Sequence, residues 1–124
     1  MTTLRPISSV KFIYKVCDNA LWDVAKRDGK FIGAEIDLRD GYIHFSTASQ
    51  LLDTLARHFA GRDGLVVLKI EIIQLDIVWE TARNGDLFPH LYAHLPLDSV
   101  VAEYHLGVSA DGDHILPEAC LYQS

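Results

Sequence analysis

Cysteine is scarce in this chain, with only Cys17 and Cys120 among 124 residues. Small secreted domains usually carry several cysteine pairs, so a disulfide framework is not expected; two reduced, mostly buried thiols are. Neither cysteine has a second ligand at metal spacing. Basic residues are also few. Eleven Lys and Arg stand against 17 Asp and Glu, a formal net charge of −6 with the six histidines neutral. Duplex nucleic acid is bound by clustered basic side chains that release counterions, and here they are scattered, so no DNA partner is expected. Long apolar runs are missing. The most apolar stretch, Leu65 to Ile73, is interrupted by Lys69 and Glu71 and is too short to cross a bilayer. Met1 to Pro6 has no apolar core of the signal-peptide kind, so a cytoplasmic location with no membrane attachment is expected. Several catalytic motifs are absent too. The chain has no GxSxG elbow, no GxxxxGK loop followed by Ser or Thr, no GxGxxG and no HExxH. Hydrolase, kinase and dinucleotide-dehydrogenase readings of the usual kinds lose their footing.

What is present fits a folded globular chain: 49% apolar and 23% charged residues over a length typical of one domain. Residues 1–9 read as a loose lead-in and 10–124 as a single domain, without repeats or linkers. Val10 to Val16 is rich in β-branched and aromatic residues and predicts a strand. Asp18 or Asn19 can cap a helix with Leu21, Trp22, Val24 and Ala25 on its apolar side, and Gly29 stops it. Asp40-Gly41 marks a turn before a short strand, Tyr42 to Phe45. Thr47 and Gln50 fit a capping box for a second helix whose apolar residues run from Leu51 to Phe59 at helical spacing. Further strands are predicted at 65–73, 76–80, 88–93, 100–106 and 114–116. Two early helices and six or more strands bunched late predict an α+β fold rather than a doubly wound parallel sheet.

Alternate residues of a strand share a face, so Tyr42, His44 and Ser46 point one way and Ile43 and Phe45 into the core. Ser46-Thr47 then opens a helix, whose first turn offers N–H groups and partial positive charge. A histidine delivered to that mouth is a candidate anion site; a plain cap beside a sheet histidine is the alternative. By the same period Phe88, His90 and Tyr92 share a face, and if the two faces meet, His44, His90 and Tyr92 line one cleft. Arg83 is placed to clamp a phosphate or carboxylate, or else to pair with Glu80. Trp79 reads as core anchor or stacking plate. His58, in the last turn of its helix, suits the helix dipole. The catalytic candidates are therefore His44 and Tyr92, and the ligand-binding candidates are Tyr42, Ser46, Thr47, Arg83 and His90, with no metal ligand assigned.

The segments Tyr14-Lys15, Trp22, Ala25, Gly29, Asp40 to Ala48, Gln50, His58-Phe59, Leu65 to Ile70, Trp79-Glu80 and Phe88 to Tyr92 together resemble a bacterial family, domain of unknown function 952. The resemblance covers roughly residues 11 to 105. That family is similar in fold to the ADP-ribosyltransferase superfamily, and Ile43-His44-Phe45-Ser46 looks like a segment of the NAD-using tRNA 2′-phosphotransferases. The resemblance implies a split, mostly antiparallel β core with a cleft that held a dinucleotide. It implies that His44 contacts a phosphate or ribose and that Tyr92 stacks on a ring. This chain departs from the NAD-using relatives at its first strand, where Tyr14-Lys15-Val16-Cys17 replaces the His or Arg near the strand end. Arginines near the candidate site are few (Arg39 and Arg83), and the late-strand glutamate has only Glu80 and Glu103 as candidates. The expected function is a His-lined pocket for a small anionic metabolite such as NAD or a phosphorylated nucleoside. The alternatives are an NAD-using transferase and a metal-assisted hydrolase built on the histidines. A monomer or a weak homodimer paired through edge strands is expected.

Overall fold

A computed structural model describes residues 10–82 and 84–118, so Arg83 and Cys120 lie outside the described residues. The first strand, β1 (Phe12–Asp18), is followed by helix α1 (Asn19–Asp28). The helix ends where Gly29 takes a left-handed conformation, φ 79°, and its N–H returns to the Ala25 carbonyl. Asp18 occupies the cap position, but its carboxylate is spent on Arg62, 2.7 Å away. Then come β2 (Lys30–Phe31), helix α2 (Glu35–Asp40) and β3 (Ile43–His44). Helix α3 (Leu51–His58) follows one 3-10 turn at Ala48–Gln50. The strands that follow are β4 (Leu65–Glu71), β5 (Ile77–Thr81), β6 (Leu87–Leu91), β7 (Leu95–Pro96), β8 (Val100–His105), β9 (Gly107–Val108) and β10 (His114–Ile115), with a 3-10 turn at Leu97–Ser99 before β8.

The fold is α+β, and among the described residues every strand pairing is antiparallel. One sheet has the order β1-β4-β8, a second β3-β6-β5, and two small ladders pair β2 with β7 and β9 with β10. Among the described residues there are three α-helices where about two were expected. The unforeseen one, α2, is six residues long with no apolar stripe of its own; only Asp37 of its residues is buried.

The central strand β4 is covered on both faces, and the period of two sorts its residues. Val66, Leu68 and Ile70 join Ile13 and Cys17 in a core shared with Trp22 and Ala25 of α1 and with Ile43, Phe45 and Leu91 of the second sheet. Val67 and Leu65 face the other way with Tyr14 and Val16, against Leu51 and Leu55 of α3. Those two leucines are four apart on one helical face and wholly buried, each contributing about 2 kcal/mol through removed apolar surface. Trp79 packs partly buried against the first core, as an anchor.

The stretch after β3 crosses between the two large sheets. Phe45 N–H donates to the Pro89 carbonyl in the second sheet, while Ser46 and Tyr14 exchange two main-chain bonds in the first. This crossing brings His44 to the seam.

Candidate functional site

Lys15 lies on the core side of β1, at the same period as Ile13 and Cys17, and is buried. A buried ammonium needs a counterion. It finds Asp37 of α2: Lys15 Nζ donates to Oδ1 at 3.0 Å and lies 2.8 Å from Oδ2. It also donates to the main-chain oxygen of His44 at 2.9 Å. Asp37 in turn accepts from the Ala34 N–H (2.7 Å) and the His44 N–H (3.1 Å). Its Oδ1 is 2.7 Å from His44 Nδ1. An ionised carboxylate only accepts, so Nδ1 carries the hydrogen. Burial works to raise the Asp37 carboxyl, but the His44 ring, the Lys15 charge and hydrogen bond, and the Ala34 N–H outweigh it and hold it at about 2. Lys15 is pulled below its ordinary value by burial, with Asp37 acting against that. Gly33 makes room for this carboxylate. Its φ is +118°, and a Cβ there would stand 2.8 Å from the Asp37 Cβ.

The other ring nitrogen of His44, Nε2, is 3.0 Å from Asp40 Oδ2 at the end of α2. Both nitrogens face carboxylates at once.

His44 sits opposite His90 in the β3–β6 register. Their ring centroids are 5.3 Å apart. Tyr42 packs against both, at 4.5 Å from His44 and 4.2 Å from His90, and against Tyr92 at 5.0 Å. His90 repeats the arrangement of His44: its Nδ1 is 2.7 Å from Glu80 Oε1, on the neighbouring strand β5. The Tyr92 hydroxyl donates to the same oxygen at 2.7 Å. That bond to Glu80 is the main cause pushing the Tyr92 phenol up to about 12, and together with His90 it lowers Glu80. Tyr42 is raised by burial and by the nearby charges of Asp40 and Glu80.

Beside this cluster is an open hollow of about 970 Å³. Its lining includes Lys15, Arg39, Tyr42, His44, Ser46 and His90, and on the α3 side Arg57, His58, Phe59 and Arg62. Arg57 is held by Asp53 at 2.8 Å and Arg62 by Asp18.

The residues expected to meet thus divide. Tyr42, His44, His90 and Tyr92 come together as one ring cluster. Ser46 is buried, and its hydroxyl is engaged by Thr54 at 2.8 Å. Thr47 lies at the helix start as expected, but its N–H is taken by the Gln50 side chain at 3.0 Å. Gln50 also donates to the Leu87 carbonyl, which ties the helix start to β6. Arg83 is outside the described residues, and Glu80, the alternative partner considered for it, is bound to His90 and Tyr92. Among the described residues no group of three or more His, Cys, Asp and Glu side chains is placed to hold a metal ion.

Residues 16–103 match the family model described as protein of unknown function, DUF952. This chain belongs to the DUF952 family. It is similar in structure to protein CC0527 from Caulobacter crescentus. The crystal structure of CC0527 gives a TM-score of 0.82 at 40% identity, covering 88% of this chain and 97% of that one. A double methionine variant of CC0527 gives the same values. The solution structure of CC0527 gives a TM-score of 0.74 at 43% identity over 82% and 90% of the two chains. No curated protein matches.

For the DUF952 chain the residues missed from sequence are Asp37, Lys15 and Asp40, together with the pairing of Glu80 to His90. Asp37 had a usable signal. Glu35-Ile36-Asp37-Leu38-Arg39-Asp40-Gly41 carries acid in the first turn, a base in the last and a glycine after it, which are helix start and stop marks.

Proposed function

We propose that this chain binds a small ligand bearing both a flat ring and an anionic group, such as NAD or a phosphorylated nucleoside. The observation that carries this reading is the pair of imidazoles facing each other across β3 and β6. Each is held at Nδ1 by a carboxylate, and both pack against Tyr42 on the wall of the hollow. A ring anchored at Nδ1 presents Nε2 in a set direction, which prepares a histidine for binding or proton transfer. Tyr42 and Tyr92 supply the stacking surface. Arg57 and Arg62, on the same hollow, supply charge for the anionic group. Their carboxylate partners are exposed, and exposed pairs are readily exchanged for a ligand oxygen.

A second reading is an NAD-using transferase of the ADP-ribosyltransferase type, with His44 and Tyr92 as its working groups. One observation favours it. Glu80 Oε1 lies within the ring cluster, bonded to His90 and Tyr92, where a carboxylate can stabilise charge on a loosening glycosidic bond. An ADP-ribosyltransferase-like fold is part of this second reading and is proposed with it.

A melting-temperature screen with NAD, ADP-ribose, nucleotides and divalent metals tests both. A ligand at 100 times its dissociation constant adds about 2.7 kcal/mol, a rise of about 10 °C for a chain of this length. His44→Ala and His90→Ala should each remove the shift. Nicotinamide release accompanying an NAD shift supports the transferase; a shift without turnover supports the binding module. A screened ligand that shifts the parent and both variants alike defeats the site.

A further inference from the structure

Two carboxylates hold His44, and they are unequal. Asp37 is buried, accepts from three main-chain and side-chain donors besides the ring, and is fixed. Asp40 is a third exposed and reaches the ring from the last position of α2. A negative charge there gains nothing from the helix, whose C-terminal end is itself negative. Asp40 is gripped from two sides instead. Arg39 Nε lies 3.0 Å from Oδ1 and His44 Nε2 lies 3.0 Å from Oδ2, one donor to each oxygen. Arg39 and His44 both line the hollow, and the Arg39 side chain is largely exposed.

We propose that Arg39 and His44 Nε2 form an oxyanion subsite of the hollow, and that the Asp40 carboxylate is its internal occupant, displaced when a carboxylate or phosphate of the ligand binds. The inference rests on the ligand site proposed above and adds the atom that meets the anion and the residue that competes with it. The geometry of one donor per oxygen is the geometry by which paired donors hold carboxylate and phosphate groups. Because Nδ1 stays anchored on Asp37, Nε2 keeps its direction when Asp40 leaves. Asp40 departs into water and Arg39 is already there, so neither is stranded in the interior. While Asp40 is in place it lowers the apparent affinity for a competing anion by the fraction of time the subsite is filled.

The test is a titration of the full chain with inorganic phosphate and, separately, acetate, following the imidazole nitrogen resonances of His44 by NMR. Runs are made at about pH 5.5, below the ordinary imidazole range. Saturable movement of the His44 signals is expected, with Asp40→Asn tightening binding roughly two- to tenfold. Asp40→Ala should act in the same sense and Arg39→Met should weaken binding. Glu35→Gln removes an equal charge from the same helix, at a residue that also lines the hollow, and should change much less. Tightening confined to phosphate assigns a phosphate ligand, and tightening confined to acetate a carboxylate; either supports the subsite. The proposal is overturned if Asp40→Asn binds no tighter than the parent, or if Glu35→Gln matches it. Should that happen while a ring-bearing ligand still moves the His44 and His90 signals, the ligand site stands and only the subsite falls. Tightening without any response to ring-bearing ligands has the opposite meaning.

Discussion

Replacing Asp37 by Asn keeps the shape of the side chain and removes its charge, and the structure sets how much that should cost. Lys15 would remain 4% exposed with its counterion gone. Removing one partner of a buried pair typically costs about 3–5 kcal/mol, because the remaining charge is stranded. Against a total stability of about 5–15 kcal/mol for a domain, that is a large share. Scaled by the unfolding entropy of a chain this long, it lowers the melting temperature by roughly 12–19 °C. The companion variant Lys15→Met strands no charge in the double mutant, so Lys15→Met/Asp37→Asn should be less damaging than the sum of the singles by about 1–3 kcal/mol. The assay is urea unfolding at neutral pH of the parent, both singles and the double. A loss below about 1 kcal/mol for Asp37→Asn, or strict additivity in the cycle, would show that this pair does not organise the site.

Acid should expose the same residue. With a folded value of about 2 against an ordinary 3.8, Asp37 contributes its stability fully above the ordinary value and loses it as pH falls from about 4 to about 2. The loss is about 2 kcal/mol, read as a shift in urea midpoint that is absent from Asp37→Asn. Gly33→Ala should destabilise by about 1–3 kcal/mol, since it forces a side chain to positive φ and against Asp37; a neutral result in thermal unfolding would show that α2 is not held closely there. Cys17 is buried and its thiol is pushed up to about 12, chiefly by burial. In native buffer it should resist iodoacetamide, and mass spectrometry should find it labelled only after unfolding. Tyr92→Phe should remove a phenol that ionises near 12, and Glu80→Gln should bring that ionisation down, both seen by ultraviolet titration.

Strong local signals made much of the scaffold legible. Gly29 ends α1 with a left-handed cap, the Thr47–Gln50 pair opens the turn before α3, and period-two alternation puts Ile43 and Phe45 in the core and His44 on the opposite side. The same period placed the His44 and His90 faces, although their meeting depends on the β3–β6 register, which neither strand encodes alone. The electrostatic half was not legible. Lys15 and Asp37 are 22 residues apart, and a lysine between two apolar neighbours in a strand reads as a wet face until both faces of the β1-β4-β8 sheet are found covered. Helix α2 is too short for a periodic apolar stripe, so the element that delivers Asp37 and Asp40 has no periodic signal in the sequence. The anion site expected at the mouth of the second helix met a further obstacle that only contacts reveal. Its first donors are already used, by Gln50 on Thr47 and by Thr54 on Ser46. That is why the proposed anion contacts move to Arg39, Arg57 and Arg62.

Long-range proton–nitrogen correlation spectra of the histidine rings report which nitrogen of each paired imidazole carries its hydrogen. With carboxylate oxygens 2.7 Å from Nδ1 in both His44 and His90, a hydrogen on Nδ1 of each ring is expected, and a companion NOE spectrum should show through-space cross-peaks from both rings to Tyr42. Rings protonated only at Nε2, or two imidazoles with no common contact to Tyr42, would contradict this arrangement.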